Sequence, residues 1–301
     1  MMKRIKLFSL FTLLILFPLF VFAQDSPVIA DGAELIEVDD SFVFTEGPIA
    51  DDNGNVYFTD QPNNRIYKWD ANTNTIDLFM ENAGRANGLY FDNEGNLIAA
   101  ADEKNELWSI TPNGEVTVLL DEFEGKKLNG PNDIWVAPNG GIYFTDPYYH
   151  REWWTRTEPD IKEQRVYYLS PDRTELSVVA DQLVKPNGII GTPDGKTLYI
   201  ADIGDSKTYS YTINPDGTLK NRSLVLEEGS DEMTLDELGN IYITGDGVTI
   251  YSADGEFLQH IDVPKGWTSN VTFGGPDNST LFITALEAVY TLPMNVKGAS
   301  L

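Results

Sequence analysis

Cysteine is absent and histidine occurs only twice, as His150 and His260. No disulfide, thiol nucleophile or sulfur-ligated metal is therefore available, and a histidine-rich metal centre is excluded. The chain has no Gly-x-Ser-x-Gly elbow and no phosphate-cradling glycine-rich loop, so serine-hydrolase and nucleotide-binding chemistries lack their signatures. Cations are scarce: 21 Lys and Arg stand against 47 Asp and Glu, for a formal net charge of -26. No cluster of basic residues with interleaved aromatics breaks this pattern. Nucleic acid and anionic lipid are thereby excluded as partners. Helical periodicity is almost absent, and no long apolar run follows Phe22.

The one extended apolar run, Leu7 to Phe22, follows a basic start containing Lys3, Arg4 and Lys6. With Val21 to Ala23 as a small-residue cleavage site, residues 1–23 are expected to be a signal peptide, so the protein is expected to be periplasmic or secreted. No Cys follows Ala23 to carry a lipid. Removing the segment makes the remainder three charges more negative and leaves residues 24–301, expected to form one domain free of membrane contact and stable through its core rather than through disulfides.

A six-fold repeat organises that remainder. Short apolar runs rich in β-branched and aromatic residues end at Asp60, Asp102, Asp146, Asp202, Gly245 and Ala285, at intervals of 42, 44, 56, 43 and 40 residues. A mean period of 45 residues matches one four-stranded propeller blade. Each run is preceded, 14 or 15 residues upstream, by one amide or carboxylate: Glu46, Asn87, Asn132, Asn187, Asp231 and Asn270. The two ends of each unit form a hairpin about a turn such as Asp51 to Gly54, which is expected to set Glu46 opposite Asp60 and Asn132 opposite Asp146. The fold class predicted is all-β: a six-bladed propeller of four-stranded antiparallel blades. The last unit is one strand short and a spare strand, Ala33 to Val38, precedes the first, so the N-terminal strand is expected to close the sixth blade.

With the first strand of each unit innermost, six oxygen-bearing side chains ring a central channel. Glu46 and Asp231 are the only carboxylates in that ring, and no cation occupies an equivalent position. Their mutual repulsion calls for a hard divalent cation, calcium ahead of zinc, manganese or magnesium, with amide oxygens as further ligands. The long third interval places an insertion, Pro147 to Arg156, at the same end as the ring. It carries Tyr148, Tyr149, Trp153 and Trp154 and reads as a lid or substrate wall, with His150 an exposed loop residue.

The segments Thr45-Glu-Gly-Pro48, Asn129-Gly-Pro-Asn-Asp133, Lys185-Pro-Asn-Gly188, Ser230-Asp-Glu-Met233 and Asn270 to Asp277 resemble, in order, those of the gluconolactonase, regucalcin and senescence-marker family. The resemblance implies a six-bladed propeller that hydrolyses sugar lactones with one divalent metal in the channel. Carried over by position, it implies Glu46, Asn187 and Asp231 as metal ligands, with Asn132 at the metal or the substrate. Asp231 or a water held by the metal would supply the attacking oxygen, and Asn87, Asn132 and Lys127 would hold the sugar beside Trp153 and Trp154. Two departures are visible. Gly130 stands where regucalcin-like members carry a substrate-binding Arg, for which Lys127 is the expected substitute, and Ser230-Asp231-Glu232 replaces the usual Pro-Asp-Gly. Small lactones or esters are the expected substrates. A calcium-dependent phosphotriesterase or arylesterase of the diisopropylfluorophosphatase type, or a propeller that binds ligand without chemistry, is the alternative.

Overall fold

The computed structural model describes residues 28–299, and the expected signal segment lies outside them. A short strand, β1 (Ile36–Asp39), precedes six sequential units. The first comprises β2 (Thr45–Ala50), β3 (Val56–Asp60), β4 (Arg65–Asp70) and β5 (Thr75–Glu81), and the second β6 (Ala86–Phe91), β7 (Leu97–Ala101), β8 (Glu106–Ile110) and β9 (Val116–Leu120). The third contains β10 (Ile134–Val136), β11 (Ile142–Asp146), β12 (Arg165–Leu169) and β13 (Leu176–Ala180). The fourth contains β14 (Pro186–Gly191), β15 (Thr197–Asp202), β16 (Lys207–Ile213) and β17 (Leu219–Leu226). The fifth contains β18 (Met233–Leu235), β19 (Ile241–Gly245), β20 (Gly247–Tyr251) and β21 (Phe257–Ile261), and the sixth β22 (Asn270–Gly274), β23 (Thr280–Ala285) and β24 (Ala288–Pro293). Among the described residues there is no helix.

Each unit folds as one antiparallel sheet, and the sixth is completed by β1 pairing with β24. The molecule is a six-bladed β-propeller whose ring is closed by its N-terminal strand. Closure leaves the outermost strand of that blade supplied from the opposite end of the chain, so β24 is paired on both sides.

Apolar mass lies between blades rather than at the axis. Ile66 of blade one packs with Ala86, Leu89 and Leu97 of blade two, and Phe58 and Trp69 pack with Phe282 and Val289 of blade six. Similar clusters join the remaining neighbours, so both faces of every blade are covered. This is why second strands such as Leu97–Ala101 are buried at every position rather than alternating. The axis is left to polar side chains.

The innermost strands approach one another closely. The Gly88 N–H donates to the Asn132 carbonyl at 2.7 Å, and a Cβ on Gly88 would lie 2.5 Å from that oxygen. Gly47, at φ 49°, stands against the Asn87 carbonyl in the same way, and a Cβ there would overlap backbone. In blades one and two a glycine after the ring residue is thus required by the neighbouring blade. The expected outcome is that Gly47→Ala costs roughly 2 to 4 kcal/mol in urea unfolding, from overpacking plus left-handed strain. Gly95→Ala, at φ 80° in an open turn, should cost roughly 1 kcal/mol.

Candidate active site in the central channel

In blade one the predicted register is off by one residue. Thr45, not Glu46, lies opposite Asp60, and Glu46 faces Thr59. The pairing then shifts between Glu46 and Ile49, with matching irregularities between Ala86 and Leu89 and between Pro186 and Ile189. These bulges fall at the ring residue and its glycine, where an extra residue turns the side chain away from the sheet. In blades three and five the regular strand begins only after the ring residue, at Ile134 and Met233. There the Thr145 and Thr244 hydroxyls accept the N–H groups of Asp133 and Glu232 at 3.1 and 2.9 Å, fixing the backbone beside Asn132 and Asp231.

The strand-terminal aspartates have a different task from the ring residues. Asp146 accepts the Asn129 and Gly130 N–H groups at 2.8 Å each, and Asp202 accepts those of Val184 and Lys185 at 2.8 Å. Asp60 does the same, more loosely, for Val43 and Phe44. They pin the segment leading into each inner strand. Burial pushes the Asp146 carboxyl up to about 7 against these two bonds.

Glu46, Asn87, Asn132 and Asn187 are all buried, and each presents an oxygen that has no hydrogen-bond donor: Oε2 of Glu46 and Oδ1 of the three amides. Asn270, the sixth ring position, instead accepts the N–H of Val271 at 2.6 Å. Asp231 accepts from Asn187 Nδ2 and, at 2.6 Å, from Nε1 of Trp267. Burial, then the Asp231 charge, raises the Glu46 carboxyl well above its usual range. Burial also pushes Asp231 up to about 6 against the Trp267 and Asn187 donors. Beneath them Asp133 accepts the Ile189 N–H at 2.7 Å and is pushed up to about 6 by burial, while Glu232 is raised well above its ordinary value by burial and by Asp133.

Buried acceptors without donors are costly, and four at one ring call for a cation or a bound donor. The donor set is all oxygen, two carboxylates and three amides, which suits a hard cation such as calcium. Among the described residues no three His, Cys, Asp or Glu side chains form a metal-binding group. The site is mixed: Glu46, Asn132, Asn187 and Asp231 are the residues able to hold an ion.

The loop over the mouth is longer than expected, since no strand interrupts residues 147–164. Tyr149 accepts from Asn187 Nδ2 at 3.0 Å, which ties the loop to the ring. The tryptophans divide. Trp154 donates Nε1 to the Asp102 carbonyl at 2.8 Å and packs under Arg156, so it anchors the loop; Trp153 lies half-buried with Arg85 4.6 Å above its ring. His150 is exposed. Lys127 is also exposed, on a turn whose backbone N–H reaches Asp160 at 3.4 Å, and it makes no ion pair among the described residues. Among the described residues no hydrogen bond or ion pair joins Lys127 to a ring residue. Arg151 and Trp267 reach the ring instead, and the repeat gave no sign of them because both come from connections between repeated strands.

Residues 44–287 match the SMP-30/Gluconolactonase/LRE-like region family over most of the chain. The chain belongs to that family. A gluconolactonase of Zymomonas mobilis is 30% identical to this SMP-30/gluconolactonase-family chain over 302 residues, covering 89% of it and 83% of that protein. The structure of a gluconolactonase from Xanthomonas campestris aligns with a TM-score of 0.81 at 28% identity, covering 90% and 95%. Regucalcin of Agrobacterium tumefaciens, described as a calcium-binding protein, shares the fold with a TM-score of 0.72 at 19% identity, covering 87% and 94%.

Two buried carboxylates in one ring should destabilise the cation-free protein. Glu46→Gln is expected to raise its melting temperature by about 2–6 °C in chelator, since roughly 1–2 kcal/mol corresponds to that shift in a chain of this size. The rise that calcium produces in the parent should be lost in the variant. Scanning calorimetry of both proteins with and without calcium measures each effect.

Proposed function

We propose that this protein is an exported, metal-dependent hydrolase of sugar lactones. The observation that carries the reading is the set of four buried, donorless oxygens in the channel of a fold shared with gluconolactonases. Glu46, Asn132, Asn187 and Asp231 would hold a divalent cation, calcium by the hardness of the donors. When bound, it supplies Lewis-acid polarisation of the lactone carbonyl and charge stabilisation for the tetrahedral oxyanion.

The chain's own groups do the rest. Asp231 sits at the mouth with its carboxylate oriented by Asn187 and Trp267, and it accepts a proton from the attacking water as the water oxygen bonds to the carbonyl carbon. Collapse of the adduct breaks the ring C–O bond, and the proton passes from Asp231 to the leaving alkoxide to give the open hydroxy acid. Asn87, buried with a free Oδ1, can accept from a sugar hydroxyl. The loop at 147–164 covers the mouth and limits water to what the reaction consumes. Export rests on the basic start and apolar run of residues 1–23, and the small-molecule substrate is a neutral sugar lactone.

The test is hydrolysis of glucono-δ-lactone, followed by pH-stat with and without chelator. Turnover that is lost on chelation, restored by calcium and lowered at least about 100-fold in Asp231→Asn is the expected result. Full activity in chelator, or in Asp231→Asn, would overturn the assignment. Turnover of aryl esters or phosphotriesters in place of lactones would move the protein to a different substrate class.

A further inference from the structure

Asp102 breaks the rule that the other strand-terminal aspartates follow. Asp60, Asp146 and Asp202 each accept backbone N–H groups from the segment entering their own blade. In blade two that service is performed by Asn64, whose Oδ1 accepts the Arg85 N–H at 2.7 Å and whose carbonyl accepts that of Ala83 at 3.2 Å. Asp102 is released from the backbone and turns to side chains. Its Oδ2 accepts Nε of Arg151 at 2.6 Å and Nε2 of Gln61 at 3.1 Å.

Arg151 is the recipient, and it is held on three sides. Tyr149 and Trp153 flank the guanidinium, with ring centroids 5.5 and 5.7 Å from its central carbon, and Asp102 fixes Nε. Tyr149 is in turn tied to Asn187. The Nη groups find no acceptor among the described residues, and the side chain keeps 21% of its surface open at the mouth. Its positive charge is felt at both ring carboxylates, Glu46 and Asp231. Gly130 makes the arrangement possible: a Cβ there would lie 2.8 Å from Asp102 Oδ1 and 3.1 Å from the Trp154 ring.

A guanidinium immobilised at one nitrogen with its other donors unspent is prepared for a ligand. Because Asp102 already answers its charge, what remains is a set of directed donors. Those suit neutral hydroxyl oxygens more than an anion. We propose that Arg151 is a substrate-contacting specificity residue, delivered over the ring by the loop, that selects polyhydroxylated lactones, and that Asp102 is the positioning residue that aims it. This rests on the lactonase reading above and names the substrate class within it.

The experiment compares the parent with Arg151→Gln, Arg151→Lys and Asp102→Asn. It uses glucono-δ-lactone and unsubstituted δ-valerolactone as substrates, and the non-hydrolysable lactam of the same sugar as a binding probe in calorimetry. Arg151→Gln should raise KM for the sugar lactone about 10- to 100-fold with kcat within about threefold, weaken lactam binding equally, and leave δ-valerolactone within about threefold of the parent. Arg151→Lys should recover part of the loss, and Asp102→Asn should reproduce it in weaker form, about 3- to 10-fold. All three should fold and still bind calcium, although unpairing the buried Asp102–Arg151 bridge lowers the melting temperature of Arg151→Gln and Asp102→Asn. Equal losses on both substrates, unchanged lactam affinity in Arg151→Gln, or loss of calcium affinity with it would each overturn the proposal. Lactam binding that depends on Arg151 in a protein that fails to turn over lactones would sustain the proposal and overturn the hydrolase reading. A parent that binds no lactam would overturn the proposal along with its substrate class.

Discussion

Everything at the centre of this propeller follows from one electrostatic constraint: buried oxygen acceptors from Glu46, Asn87, Asn132 and Asn187 share a channel with Asp231 and have no protein donors. A globular core ordinarily satisfies such groups, and leaving four of them unsatisfied costs several kcal/mol by any reasonable count of lost hydrogen bonds. The fold tolerates the cost because apolar packing is distributed among the six blade interfaces and does not depend on the axis. The same separation explains why the ring can be charged without weakening the blades. Inner strands in direct backbone contact, as at Gly47 and Gly88, keep the oxygens from relaxing apart.

Much of this architecture was legible in the sequence because it repeats. Blade number, the four-stranded plan, N-terminal closure and the six ring positions all follow from a period of about 45 residues read with the polar residue that opens each unit. Symmetric counting from the turn pairs Glu46 with Asp60 because it assumes a regular ladder, and the bulge between Glu46 and Ile49 breaks that ladder. That single residue has a chemical consequence. It sets Asp60 opposite Thr45 rather than Glu46, and Asp60, like Asp146 and Asp202, serves backbone N–H groups while Glu46 and Asp231 remain the carboxylates of the ring.

What the sequence concealed lies in the connections. Trp267 and Arg151 belong to no repeated position, so neither period nor spacing flags them, yet one orients Asp231 and the other sets a cation at the mouth. Proximity in the chain points to Lys127 as the cation near Gly130, while the loop brings Arg151, from 21 positions downstream, onto Asp102 beside that glycine. The exchange is conditional on Asn64, which takes over the backbone duty of Asp102. A signal existed in the sequence: unit two alone ends its second run in three consecutive alanines, Ala99 to Ala101, before Asp102. Its meaning emerged only from the partners of that aspartate.

The measurement that bears most directly on the central claim is a crystal structure of the protein grown with manganese in place of calcium, with anomalous difference density recorded above the manganese edge. The account predicts one strong peak in the channel, about 2.0 to 2.6 Å from oxygens of Glu46, Asn187 and Asp231, with Asn132 directly or one water away. Density absent from the channel, or a peak confined to surface turns such as Asp51 to Gly54, would contradict it.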